Sequence, residues 1–368
     1  MPALVCVADR LDWHGPLLWL SQLADGLAAR GWSVTIAARR DGPARHHIWR
    51  RGISLAPLKP LVFGCPRLSS WRHLCRDHKE PVLIQSCDMP SHLWTRMYPA
   101  PTKQALYSAL YLDPVAPSLC LGVMLRHLHA RDIGLCTPFR LVANQLQTHR
   151  LPVHKIVLLP LGIRVPPIQP QELASVRSSW HLPSSAKLIV AIPSSRQHSD
   201  VKNLLWALDI LRHADPSLHL AVLAPERQQE QWTQLAGHLR LSPHITFVGA
   251  PDDMILWIAL ADLVWLSGER NYTWFLVLCA LALGKCVVVS QNPILAEILG
   301  PAAPSGYLVP QHDPVAWARA TWTILENSES LSYLADNARH YAAEAFDFDT
   351  CLQAYDDFYR QLLAHFSP

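Results

Sequence analysis

Histidine and cysteine are the side chains in this chain that could hold a metal or serve as nucleophiles. There are 19 histidines and nine cysteines. Their spacing speaks against both uses. The sequence contains no HExxH, no CxxC pair and no Cys/His ligand cluster. The pairs His46-His47 and His127-x-His129 stand among arginines and read as solvated basic surface. Most cysteines sit in apolar runs, as Cys6, Cys279 and Cys286 do, and read as buried thiols in a reducing cytoplasm. The other chemistry on offer is charge. Residues 1–164 hold 20 Lys and Arg against 9 Asp and Glu, a net +11, whereas residues 165–368 hold 12 against 20, a net −8. A basic half can attract anionic lipid headgroups or a phosphate-bearing acceptor, with Arg39, Arg40, Arg45, Arg50 and Arg51 as the densest run. Attraction between the two halves, or ordinary solvated helix faces, explains the same numbers.

The elements that must position such residues alternate along the whole chain. Leu4–Ala8, Val34–Ala37, Val82–Ile84, Leu141–Ala143 and Ile156–Leu159 read as strands of a first block. Leu188–Ile192, Leu218–Leu223, Ile245–Val248, Leu263–Leu266 and Cys286–Val289 read as strands of a second. Helices are expected between them. Pro16–Arg30 carries Leu17, Leu20, Leu23 and Leu27 on one face and stops at Gly31. Lys202–His213 and Arg227–Leu239 are further examples. This alternation implies parallel sheets covered on both faces. RVPPIQP, Arg164–Pro170, reads as a stiff linker between the blocks. The longest apolar run, Trp274–Leu283, is too short to span a bilayer, and the opening MPALVCVADRLDW reads as a first core strand rather than a leader.

The stretch LVWLSGERNYTWFLVLCALALGKCVVVS, Leu263–Ser290, is the most informative. It reads as a strand ending at Ser267, a polar loop, a helix from about Thr273 that breaks at Gly284, and a second strand. The unit resembles the donor-sugar motif of family 4 retaining glycosyltransferases, which have the GT-B fold. Counting back from Gly284 puts that motif's two glutamate slots at Asn271 and Cys279. The resemblance extends over nearly the whole chain. DRLDWHGPLLWLSQLADGLAARGWSVTIAA is similar to the family's first strand, glycine loop, helix and second strand, with His14 and Gly15 in the loop. HKIVLLPLGIRV is similar to the turn before the linker, with Leu161 at a usual asparagine. LIVAIPSSRQHSDVKNLLWALDIL is similar to the segment carrying a diphosphate-binding arginine and lysine, here Arg196 and Lys202. ITFVGAPDDM, VVVSQNPILAEIL with Glu297, GYLVPQHDP and the closing DFDTCLQAYDDFYRQLL resemble later family segments.

The resemblance implies an α/β chain of two facing Rossmann-like, doubly wound domains with a cleft between them. Residues 1–164, joined by a final helix over 350–368, would form the acceptor side, and residues 165–349 would bind a nucleotide diphosphate sugar. Arg196, Lys202, Gly15, Val248 and Cys279 would meet the donor. Asn271, or Glu269 two residues upstream, would lie near the transferred sugar. His14 and Asp88 would lie on the acceptor side, although Asp88 equally suits a turn cap. No metal or other cofactor is implied, because Arg196 and Lys202 neutralise the diphosphate. The acceptor would be a glycan or a lipid-linked hydroxyl, with peripheral contact at the inner, anionic membrane face. Without the two glutamates, a catalytically degenerate member that binds a nucleotide, a glycan or a partner is the other reading. Nucleic-acid binding lacks the needed basic–aromatic platform.

Overall fold

The computed structural model describes residues 1–10, 16–40, 54–58, 69, 71, 81–97, 105–115, 119–183, 186–193, 198–224, 229–249, 254–268, 273–300, 306–326 and 328–364. The chain divides into two compact units: Met1–Gly162 with Asp347–Pro368, and Ile163–Phe346.

The first unit runs β1 (Ala3–Arg10), α1 (Pro16–Ala29), β2 (Ser33–Arg40), β3 (Ser54–Pro57), β4 (Val82–Ser86), α2 (Met89–Met97), β5 (Ala105–Leu110), α3 (Leu119–Leu128), β6 (Asp132–Thr137), α4 (Arg140–Thr148) and β7 (Ile156–Leu158). All seven strands are parallel, in the order β3-β2-β1-β4-β5-β6-β7. Strands buried on both faces read as continuous apolar runs, which is why β1 (ALVCVADR) and β4 (VLIQS) show no alternation. Helix α1 ends on Gly31, whose φ of +87° favours glycine, and Trp32 N–H closes the turn on Leu27 O at 3.1 Å.

The second unit holds α5 (Pro170–Ser179), β8 (Lys187–Pro193), α6 (His198–Arg212), β9 (Leu218–Leu223), α7 (Gln229–His238), β10 (Ile245–Val248), α8 (Met254–Leu260), β11 (Leu263–Ser267), α9 (Trp274–Ala282), β12 (Cys286–Ser290), α10 (Pro293–Leu299), β13 (Gly306–Val309), α11 (Pro314–Leu325) and α12 (Ser328–Ala345). Its six strands are also all parallel, in the order β10-β9-β8-β11-β12-β13. The last helix, α13 (Phe348–Ala364), returns to the first unit. There Trp32 Nε1 donates to Asp356 Oδ1 at 2.7 Å, Trp19 packs on Tyr355 at 5.5 Å, and Gly26 lies so close to Leu352 that a Cβ would meet it at 2.7 Å.

Three sequence expectations change. Leu141–Ala143, expected as a strand, lies inside α4, where Val142, Ala143 and Leu146 bury one helical face. Three strands go unread in the sequence: β3 (SLAP) is short, and β5 (ALYSAL) and β6 (DIGLCT) carry polar residues that break up their apolar runs. His129, expected on a solvated surface, is fully buried, whereas His127 is exposed.

His129 belongs to a closed polar network on α2, β4, β5 and β6. Its Nδ1 meets Asp132 Oδ2 and its Nε2 meets the Tyr111 hydroxyl. Arg96, with a side chain only 4% exposed, donates through Nη2 to Asp132 Oδ1 at 2.6 Å and to Ser108 O at 2.9 Å. Its Nη1 donates to Ser86 Oγ at 2.7 Å and Thr95 Oγ1 at 2.6 Å. Ser86 Oγ also pairs with His92 Nδ1 at 2.6 Å. Burial, with His129 and Arg96 nearby, pushes His92 well below its ordinary pKa, so this ring is neutral. A buried pair of this kind adds little to stability against an apolar substitute, but removing one partner strands the other's charge. Asp132→Asn should therefore lower the unfolding free energy by about 3–5 kcal/mol, measured by denaturant titration. A loss below about 1 kcal/mol would show that the charge of Asp132 does not matter.

Candidate functional site at the strand switch points

In a doubly wound sheet, successive crossovers change sides at one pair of strands, and the loops leaving their carboxyl ends splay apart to open a crevice. Here the switch falls between β1 and β4 in the first unit and between β8 and β11 in the second.

In the second unit, β8 and β11 end in register, Pro193 opposite Ser267. The segment after β8 leads into α6 and contains Arg196. The segment after β11 leads into α9 and contains Glu269 and Asn271. These three lie outside the described residues. Two segments far apart in sequence thus leave one switch point, carrying the guanidinium and both polar candidates of the sugar loop. Lys202 lies exposed on α6.

The frame around these loops is well defined. Gly268 has φ +126°, a conformation that favours glycine, and its N–H donates to Ser290 Oγ at 3.0 Å. The Ser267 hydroxyl is buried without a hydrogen-bond partner. Helix α9 starts after Thr273, whose side chain makes no cap bond to the helix. It ends as the sequence suggests: Gly284 takes φ +71°, and Lys285 N–H closes on Ala280 O at 2.8 Å. Every residue from Trp274 to Leu281 is buried, Cys279 among them. Cys279 therefore lies inside the packing of α9 rather than on an open wall. Val248 ends β10, buried, with its carbonyl accepting from Ala224 N at 3.0 Å. Asn292 caps α10, accepting from Ile294 N at 2.8 Å. Glu297 is half-buried on α10. Ser267, Ser290 and Asn292 were not singled out in the sequence; the cue was their place immediately after apolar strand runs.

In the first unit, Asp88 lies at the switch point itself. Its Oδ2 accepts from Asp9 N at 2.6 Å and its Oδ1 from Ser91 N at 2.8 Å. The carboxylate staples the end of β1 to the start of α2, which is the cap alternative raised by its sequence position. Burial raises its pKa, and the hydrogen bonds from Asp9 and Ser91 oppose that rise. Asp113, following β5, is pushed up to about 6 by burial and by the charge of Asp88. His14 and Gly15 lie outside the described residues, as do Arg45, Arg50, Arg51 and the side chains of Arg39 and Arg40. Among the described residues no group of three His, Cys, Asp or Glu could hold a metal ion. A shallow hollow of about 350 Å³ along α4 and β7, lined by Arg140, Asn144, Gln147 and Leu158, contains none of the candidates.

With this geometry established, the chain can be compared with known proteins. Residues 175–341, nearly the whole second unit, match the family model for glycosyl transferases group 1. The match covers a little under half of the chain. It is 22% identical to N-acetyl-alpha-D-glucosaminyl L-malate synthase of Bacillus anthracis over 52% of this chain and 50% of that protein. It is 24% identical to D-inositol 3-phosphate glycosyltransferase of Corynebacterium efficiens over 45% and 41%. The match thus spans about half the length, or less, of these curated relatives. Among solved structures, a glycosyltransferase from Rickettsia africae aligns with a TM-score of 0.79 at 15% identity, over 98% of each chain. Anabaena Alr3699/HepE in complex with UDP and glucose aligns at 0.78 and 14%, over 98% of this chain and 100% of that one. At these identities the structural likeness establishes the fold alone, GT-B.

Asp113 yields a prediction. Its folded-state pKa lies above the ordinary carboxylate value, so folding takes up a proton in between, and stability falls as pH rises from about 4 to about 6. Asp113→Asn should leave stability nearly unchanged near pH 4 and raise it by about 2–3 kcal/mol at pH 7.5. Denaturant melts at the two pH values measure this. An equal effect at both would show that the carboxyl's titration is not responsible.

Proposed function

We propose that this chain transfers a sugar from a nucleotide diphosphate sugar to a hydroxyl acceptor, a glycan or a lipid-linked alcohol, with retention at the anomeric carbon. One observation carries the reading: the family match covers the unit whose β8/β11 switch point sends out the loops with Arg196, Glu269 and Asn271. A complex of Alr3699/HepE with UDP-glucose supports a donor of this class. In this reading Arg196 and Lys202 take the diphosphate, whose charge grows as it departs, so two cations near it lower the barrier without a metal. Backbone around Val248 receives the base. Asn271, or Glu269, lies beside the sugar and faces the positive charge that builds on its ring. His14 and Asp88 border the acceptor in the first unit, and Gly15 meets the donor.

A second reading keeps donor binding and drops transfer. Cys279 favours it: a buried thiol is a weak acceptor where a carboxylate would hold a ribose hydroxyl. The lost charged hydrogen bond amounts to about 1.5–3 kcal/mol.

Calorimetry and product analysis with UDP-, GDP- and ADP-sugars separate the readings. Binding with transfer supports the enzyme, and binding without transfer supports the degenerate member. Arg196→Ala with Lys202→Ala should weaken nucleotide binding by about 3–6 kcal/mol. Unchanged affinity in that double variant would remove both residues from the donor site.

A further inference from the structure

Helix α11 packs beside α6, and the inner faces of both are accounted for. Leu204, Leu208 and Leu211 of α6 share one apolar cluster with Trp317, Ala320 and Ile324 of α11. Their amino ends are tied: Asn203 Nδ2 lies 2.9 Å from His312 Nδ1, and Gln311 Nε2 donates to Asp200 Oδ1 at 2.6 Å. What α11 turns outward is one ridge: Val315, Arg319, Trp322 and Glu326, all exposed. They recur at steps of four, three and four residues, which keeps them in a single line along the helix. Counting on from Asn203 and His312 sets Trp206 of α6 beside Val315, and one turn later Ile210 beside Arg319.

An outward ridge on a finished surface is usually polar. Here Trp322 is 39% exposed and Val315 52%, with Trp206 at 39% and Ile210 at 44% next to them. The two charges of the ridge also lack partners within the chain. Among the described residues no acid pairs with Arg319 and no cation pairs with Glu326. They stand two turns apart, about 10 Å along the axis, too far to meet each other. Asp209 is taken by Arg212 at 2.8 Å, and Asp313 caps α11 through Ala316 N at 3.0 Å. Glu326 closes α11 at the end where the helix dipole disfavours an acid, and no basic residue stands in the last turn to offset it.

We propose that this ridge is the contact between two copies of the chain, laid antiparallel on the same ridge of the second copy. A twofold contact sets residue i against j and j against i. Arg319 and Glu326 lie equally far on either side of the midpoint between Trp322 and Thr323. A twofold axis across that midpoint therefore brings Arg319 of each copy opposite Glu326 of the other, with the two Trp322 rings side by side at the centre. Each carboxylate then gains a cation at the negative end of its helix, and each guanidinium gains a carboxylate. A parallel pairing would set arginine on arginine and glutamate on glutamate, so the spacing selects the antiparallel one. A tryptophan at the centre with charges at its rim is how interface energy is usually concentrated. Trp206 and Ile210 flank the ridge and widen its apolar area. The contact is small for a permanent dimer, so the association is a weak one. A bilayer is the poorer occupant, because Glu326 would meet its anionic headgroups. The inference is independent of which donor or acceptor the chain uses.

The test is analytical ultracentrifugation of the full chain at micromolar concentration. The wild type should show a monomer–dimer equilibrium that weakens at high salt. Arg319→Glu alone and Glu326→Arg alone should each weaken the dimer about tenfold or more, because like charges then face each other. Arg319→Glu combined with Glu326→Arg should restore it, because the same pairs form with their signs exchanged. Trp322→Ala should weaken it about thirtyfold. All four variants should melt like the wild type, and the charge variants decide the matter if Trp322→Ala is unstable. A wild type that stays monomeric overturns the proposal, whether or not it sediments with lipid vesicles or binds another protein. So does a dimer that the single reversals leave intact, which would place the contact elsewhere. Single reversals that break the dimer without rescue in the combined variant overturn the antiparallel pairing.

Discussion

Parallel strand pairing is the constraint on which the rest of this molecule depends. A parallel strand cannot be reached by a tight turn, so each crossover must pass over a sheet face, here through helices. All crossovers then enter and leave at the same edges, and every carboxyl end in a unit points the same way. Where the winding reverses, at β1/β4 and β8/β11, two successive loops diverge and leave backbone groups and polar side chains open to a ligand. Asp88 stands at the first reversal, and the segments that contain Arg196, Glu269 and Asn271 leave from the second, whereas Val248 ends the edge strand β10 and Cys279 lies inside α9.

The first unit reinforces its reversal with buried polar chemistry. Asp88 holds the end of β1 against α2, and Arg96, near the other end of α2, is held by Asp132 and Ser86. The helix is thus fixed at both ends by charge-assisted bonds and in the middle by a neutral His92. Such a network stabilises less than its bonds suggest, because each charge has lost its water. It does fix the position of α2, and with it the turn at Cys87–Asp88.

What was legible in the sequence follows from the same physics. Doubly buried strands such as VLIQS and CVVVS, and glycine-ended helices such as those closing on Gly31 and Gly284, carry their signal locally. β6 does not. Its Asp132 is intelligible only beside Arg96 and His129, which come from other elements, and DIGLCT without them reads as no strand at all. α4 was misread because Leu141, Val142 and Ala143 form an apolar run too short to distinguish strand from helix. At the site, the segments that contain Arg196, Glu269 and Asn271 were delimited by the apolar runs on either side of them. The burial of Cys279 was legible from its apolar run, but which side of α9 it faces was not, because the helix is apolar on every side.

The return of α13 to the first unit makes the second unit an insertion. Its two ends are neighbours, with Ile163 N–H donating to Phe346 O at 3.0 Å. During synthesis the inserted unit is complete, as one unbroken stretch, before the last helix has left the ribosome. The first unit is not: Trp19, Trp32 and Gly26 wait for Tyr355, Asp356 and Leu352 to cover them. The amino-terminal sheet therefore keeps an apolar flank uncovered until α13 has been made, the interval in which a chaperone has most to hold.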